Sequence, residues 1–227
     1  MEGLFNMATT KTQRIGIWVI AIFMAVGTIG SFAVIVIANQ NGQRDQARLN
    51  ELNSQWEADT KAYQAKVDAQ AKELSDKYFE QFNAYATRPA TFDKSAVKEL
   101  QKEDLVVGTE GEALTKDSTF TAYYLGWTPD GKVFDGSIAD DSLKAPLTVA
   151  PGSVIEGWTQ GVEGMKIGGV REITIPSDLA YGETGSGDSI PPNTPLKFIV
   201  MIIPTPETIE EPPIPDELLR YYQTGRI

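Results

Sequence analysis

The sequence predicts an α+β protein: a mostly antiparallel sheet with one short helix, carried behind an apolar segment and a long polar helix. Three observations predict it. Between residues 91 and 204, runs rich in Val, Ile, Thr, Phe and Tyr alternate with turns containing Pro and Gly, as strands joined by tight connections do. Inside that region Val154, Ile155, Trp158 and Val162 recur at the spacing of one face of a short helix. Ahead of it, residues 43–87 are charged, rich in Ala, Gln, Glu and Lys, and free of both Pro and Gly.

Composition narrows the chemistry. A chain of 227 residues, 41% hydrophobic, holds one domain of ordinary size with extensions. Its net charge of −11 argues against nucleic acid, because phosphate binding needs a basic face. With no cysteine there are no disulfides and no thiolate chemistry. With no histidine there are no imidazole bases or Ser/His triads, and most zinc sites are excluded. The clustered carboxylates of "DGKVFDG" and "ADD" lack the twelve-residue ligand spacing of a calcium loop and are expected to be solvated turns.

In chain order, residues 1–14 form an N-terminal segment and Ile15–Ala38 an uncharged, mostly apolar run of 24 residues. At about 1.5 Å per residue such a helix crosses a hydrocarbon core of roughly 30 Å with some tilt. Lys11 and Arg14 precede it and Trp18 sits near the expected interface. A cleaved signal peptide has a shorter apolar core and a small-residue cleavage site, for which "VIANQNG" is a poor match. The expectation is an uncleaved single-pass anchor, N-terminus inside, although Arg44 and Arg48 place as many positive charges beyond the run as before it.

Residues 43–88 are expected to be helical. Their apolar positions repeat every eleven residues: Leu49, Leu52 and Trp56, then Thr60, Tyr63 and Val67, then Ala71, Leu74 and Tyr78, then Phe82 and Tyr85. Eleven residues in three turns keep the stripe nearly straight along the helix. Two readings follow: a helix laid on the domain behind it, or a stalk, alone or self-associating as a coiled coil, that reaches on the order of 65 Å. Pro89 stops the helix, since Arg88 before it is biased away from helical geometry.

In the domain, residues 91–204, "STFTAYYLGWTPDGKVFDGS" gives a strand, a Pro-Asp-Gly turn and a second strand carrying Phe134 and Asp135. "APLTV", "VREITI" and "PLKFIVMIIP" supply further strands, and a loop dense in Gly and Pro carries Tyr181 and Ile190. A short buried helix between strands, with aromatics converging from loops, describes an apolar pocket rather than a row of reactive groups. The tail, residues 205–227, is acidic and Pro-rich, with a short helix from Asp216 whose Leu218, Leu219 and Tyr222 are available for docking.

The stretches "YYLGWTPDGKVFDGS", "VIEGW", "LAYGETG" and "IPP", in that order, resemble the FKBP-type peptidyl-prolyl cis-trans isomerases over roughly Leu105 to Pro204. The resemblance implies a twisted antiparallel sheet wrapped on a short helix, with no metal and no cofactor. It implies that Trp158 is the floor under the substrate proline ring and that Tyr124, Phe134 and Phe198 are its aromatic walls. Val154 and Ile155 match the rim, with the Ile155 amide facing the peptide. Asp135 and the Tyr181 hydroxyl match polar contacts at the mouth, and Ile190 an apolar contact on the overhanging loop. Leu147 stands where the family usually has an aromatic, and Ser189 where an apolar residue often precedes "IPP", so rapamycin-type macrolides are expected to bind weakly. The loop "GSIADDSLKA" is acidic and longer than in a minimal domain. The expectation is a membrane-anchored prolyl isomerase acting on proline-containing polypeptides, its domain outside the cytoplasm. The alternative is a catalytically weak tethered chaperone that uses the same pocket.

Overall fold

The structure, a computed structural model, describes residues 42–225. The apolar anchor expected over residues 15–38 lies outside them. Among the described residues, no helix is long and apolar enough to cross a membrane. The described residues separate into two compact units, Lys61–Glu211 in one and residues 42–60 with 212–225 in the other.

The core of the larger unit is an antiparallel sheet of β1 (Gln101–Val106), β2 (Phe120–Trp127), β3 (Val133–Gly136), β6 (Leu147–Val149), β7 (Val170–Ile175) and β8 (Leu196–Ile203). The order is β1-β7-β8-β2-β3, with β6 beside the first residues of β2 through Phe120↔Val149 and Ala122↔Leu147. A separate two-stranded hairpin, β4 (Ile138–Ala139) and β5 (Ser142–Leu143), occupies the acidic loop. β1 was not expected. It is a charged, exposed edge strand with no alternation to reveal it, and its Lys102, Glu103 and Asp104 guard the open edge against further pairing.

Alternation sorts the sheet residues onto two faces. Ala122, Ile173, Ile175, Phe198, Val200 and Ile202 pack on the short helix α2 (Glu156–Val162), which contributes Trp158 and Val162. The expected helix is thus present but starts later than its spacing suggests. Val154 lies ahead of it, and Ile155 is its N-cap, with φ −61° and ψ 150°. Gly157 makes the contact possible, because a Cβ there would come within 2.2 Å of Ile175 Cγ2.

Tyr123, Leu125, Trp127, Ile199, Met201 and Ile203 point to the other face, where they meet a second layer. That layer is the end of α1 (Gly42–Asn83): Phe82 is fully buried, and Tyr78, Phe79 and Tyr85 pack beside it. α1 stops at Asn83, short of Pro89, in tighter turns in which Tyr85 and Ala86 donate to the Phe82 and Asn83 carbonyls. These turns let Phe82 and Tyr85 share the sheet face, their ring centres 6.3 Å apart. The segment set apart as a stalk over residues 43–88 is therefore divided. From Lys61 onward it belongs to the sheet-containing unit, and the last positions of its stripe, Tyr78, Phe82 and Tyr85, join that unit's core. Farther along, the Gln70 side-chain amide donates to the Glu207 carbonyl at 2.8 Å.

In the smaller unit Leu49 and Leu52 are buried with Leu218 of α3 (Asp216–Thr224), and Trp56 and Tyr221 pack against them. An ion pair of 3.0 Å joins Arg48 to Glu217. α3 begins where the sequence placed it. Its docking residues are Leu218 and Tyr221, while Leu219 and Tyr222 are exposed. Both ends of the eleven-residue stripe are thus occupied by the chain's own residues, which removes them from the free coiled-coil seam.

Candidate active site

Four rings converge where β2, β3, β8 and α2 meet. Trp158 stands edge-on to Tyr124 at 5.4 Å and 82°, and to Phe198 at 5.4 Å and 86°. Phe134 closes the row against Phe198 at 5.6 Å and 88°. Edge-to-face stacking is the geometry that aromatic quadrupoles favour, so the arrangement is held by its own electrostatics as well as by burial. The rings approach this closely because β2 has glycine at position 126. A Cβ there would meet Phe198 Cε1 at 2.6 Å and Phe134 Cζ at 2.8 Å. A lone glycine inside a strand pattern is the local signal for such an approach.

Asp135 sits at the edge of this cluster. Its carboxylate accepts from the Tyr124 hydroxyl at 2.5 Å and from the Gly136 N–H at 2.8 Å. Burial, then the bond to Asp135, raises the Tyr124 pKa well above its ordinary 10.0, so the phenol remains a donor. The Tyr181 phenol is raised too, by burial first and by the Asp135 charge second, which puts its hydroxyl in the field of the same carboxylate. Tyr181 as a whole is 38% exposed and reachable from solvent.

Val154 and Ile155 are half-buried against the same core. Ile190 is buried in that core, its backbone paired with Ser186 across the glycine-rich loop. Ser189 is exposed beside it. Leu147 shares a face with Ala122 across the β2–β6 pair but is 37% exposed and is not among the core residues around Trp158. The structure thus joins Tyr124, Phe134, Asp135, Trp158 and Phe198 into one constellation, with Val154, Ile155, Tyr181 and Ile190 around it. It leaves Leu147 and Ser189 as solvent-facing positions.

Three supporting residues carried no signal in the sequence. Arg171, buried on β7, donates to the Gly161 and Glu163 carbonyls at 2.8 and 2.9 Å, satisfying the C-terminal end of the helix that bears Trp158. Asp104 of β1 accepts from its Nε at 2.6 Å. Ser137 locks β3 to β2 reciprocally: its N–H donates to the Tyr124 carbonyl and its Oγ accepts from the Tyr124 N–H. Among the described residues no group of His, Cys, Asp or Glu is arranged to hold a metal. A crevice of about 300 Å³ lies on the other sheet face, between Phe92, Trp127 and Lys197, but its charges are already paired, Glu172 with Arg88 at 3.0 Å and with Lys197 at 2.7 Å.

The family model of FKBP-type peptidyl-prolyl cis-trans isomerases matches residues 110–203, which hold every residue of this constellation. An FK506-binding protein of Neisseria meningitidis serogroup A is 43% identical over 101 residues, which cover 44% of this chain and 91% of that protein. The chain belongs to the FKBP-type peptidyl-prolyl cis-trans isomerase family. A probable FKBP-type isomerase of Haemophilus influenzae is 31% identical over 161 residues, 71% of this chain and 63% of that protein. FK506-binding protein 4 of Dictyostelium discoideum is 45% identical over 106 residues, and the match spans 28% of its length. The matched region is thus an isomerase domain by descent, and the converging aromatics lie within it.

Proposed function

We propose that the chain catalyses cis-trans isomerisation of X-Pro bonds in polypeptides close to a membrane surface, with Trp158, Tyr124, Phe134 and Phe198 enclosing the proline ring. The carrying observation is the set of converging aromatic rings with one hydrogen-bonded carboxylate at its edge, in a chain that has neither histidine nor cysteine. Rotation about the amide faces a barrier of about 18–20 kcal/mol that comes from resonance, and no covalent bond breaks. A twisted amide has less charge separation than a planar one, so an apolar enclosure favours it over the ground state. The Ile155 N–H precedes the hydrogen-bonded ladder of α2 and is therefore available to the peptide. Asp135, held by Tyr124, orients polar groups at the mouth. The names of the relatives support macrolide binding at the same place, weakened by the exposed Leu147 and Ser189.

The membrane part of the proposal rests on the apolar run Ile15–Ala38. It places the chain as a single-pass protein with its isomerase domain outside the cytoplasm. The test of catalysis is a protease-coupled assay of the full chain in detergent, on a peptide with Leu or Phe before Pro and with chelator present. Acceleration that falls several-fold in Asp135→Leu and in Phe134→Ala, both folded by circular dichroism, is the expected result. Turnover abolished by chelator, or indifferent to both substitutions, contradicts the reading. Peptide binding without turnover selects the tethered chaperone instead. Membrane retention of the full-length chain through an alkaline wash is expected, and release into the supernatant refutes the anchor.

A further inference from the structure

The β4–β5 hairpin pairs through only Ile138↔Leu143 and Ala139↔Ser142 and does not join the main sheet. Two residue pairs cannot hold a hairpin in water, so its position is set from outside. One external hold is on the long helix. The Leu143 N–H donates to Ser75 Oγ at 2.8 Å, a buried bond on a serine that is 6% exposed. Leu143 itself is buried in the cluster that contains Phe82 and Tyr123. The other holds act on the site. The Lys144 N–H donates to the Ser137 carbonyl and the Lys144 ammonium to the Gly136 carbonyl, both at 2.8 Å. Gly136 in turn donates to Asp135, and Ser137 is bonded in both directions to Tyr124, the residue whose hydroxyl donates to Asp135. An unbroken sequence of bonds therefore runs from α1 through the hairpin to both sides of the carboxylate at the pocket mouth.

We propose that Ser75 is a positioning residue of the isomerase site, acting through the β4–β5 hairpin on Asp135. Serine has no propensity reason to occupy a buried helix position, and its hydroxyl there is used as an acceptor for a loop amide. Removing the acceptor strands a buried N–H, and the hairpin relaxes to solvate it. Lys144 moves with the hairpin and draws Gly136 and Ser137 away from the register that fixes Asp135 against Tyr124. The long helix is then part of the catalytic apparatus rather than a spacer.

The inference rests on the isomerase reading for its kinetic readout, and hydrogen exchange gives a second readout that does not. In the full chain in detergent, Ser75→Ala is expected to lower kcat/KM about three- to tenfold, the effect of one weakened positioning bond. Exchange over residues 133–144 is expected to rise, and Ser75→Thr, which keeps the Oγ, to restore both. In an Asp135→Ala background Ser75→Ala is expected to cost nothing further, since the two act in series. A lower melting temperature with unchanged kcat/KM well below it overturns the proposal, and so does an equal loss in both backgrounds. If the unsubstituted chain shows no turnover, the isomerase reading fails by itself. Faster exchange at Asp135–Ser137 in Ser75→Ala then still supports the positioning role, and unchanged exchange overturns it.

Discussion

Tyr124 holds the site together through two different atoms. Its backbone is locked to Ser137, and its hydroxyl donates to Asp135 at 2.5 Å. Tyr124→Phe keeps the ring stacked on Trp158 and removes the donor. We expect a stability loss of about 1 kcal/mol, the usual net worth of one such bond, measured by urea titration, together with a larger fractional loss in kcat/KM. The phenols also set the alkaline limit. Tyr123 is pushed up to about 12 by burial, and Tyr124 and Tyr181 are raised as well. A phenol with a folded pKa above its unfolded value of 10.0 holds its proton more tightly in the fold. Its contribution is complete below about pH 10 and is lost as pH rises beyond it. Melting temperature should therefore fall on titration from pH 9.5 to 11.5. Turnover should be flat across pH 6–8, where a chain without histidine has no side chain of ordinary pKa to titrate. A bell-shaped rate profile centred near neutrality would refute this account of catalysis.

At the scale of elements, α2 depends on a neighbour for its ending. The helix is seven residues long, too short to persist alone, and Arg171 satisfies carbonyls at its last turn while Asp104 fixes the guanidinium. Arg171→Met should destabilise by about 1–3 kcal/mol, because buried carbonyls and a carboxylate lose their donor together. Near-UV circular dichroism should show Trp158 reoriented, and a variant with an unaltered spectrum and stability would mean that water replaces the guanidinium. The end of α1 is bound by shape. Phe82 is fully buried against Tyr123, its ring centre 6.0 Å away. Phe82→Ala should cost about 3–5 kcal/mol in denaturant titration, as large-to-small changes in a packed core do.

Across the whole molecule, the layer that α1 adds changes what an autonomous isomerase unit is. The matched family region begins at residue 110, yet the sheet face carrying Tyr123, Leu125, Ile199 and Met201 is covered by residues of α1. A chain cut to begin at Thr91 should expose that apolar face and associate or aggregate. One beginning at Gly42 should remain soluble and fold cooperatively, as sedimentation and a thermal melt would show. Equal behaviour of the two would mean that the helix contributes no core.

Much of this was legible in order. β2, β3, β7, β8 and α2 follow from alternation, turn chemistry and helical spacing, all of which act over a few residues and are written locally. The pocket aromatics were legible because their motifs occur in the expected sequence. β1 was not, since an edge strand kept soluble by charge has no apolar alternation to show. Nor were Arg171 and Ser75, whose partners lie 67 and 68 residues away in the chain. The eleven-residue stripe shows the division best. The spacing of its apolar side chains already calls for one face of α1 to be covered, because that spacing does not depend on what the side chains meet. The partners come from the fold: Leu49 and Leu52 meet Leu218, while Phe82 and Tyr78 meet Tyr123. Apolar burial is non-directional: it rewards area removed from water and leaves the choice of partner to shape.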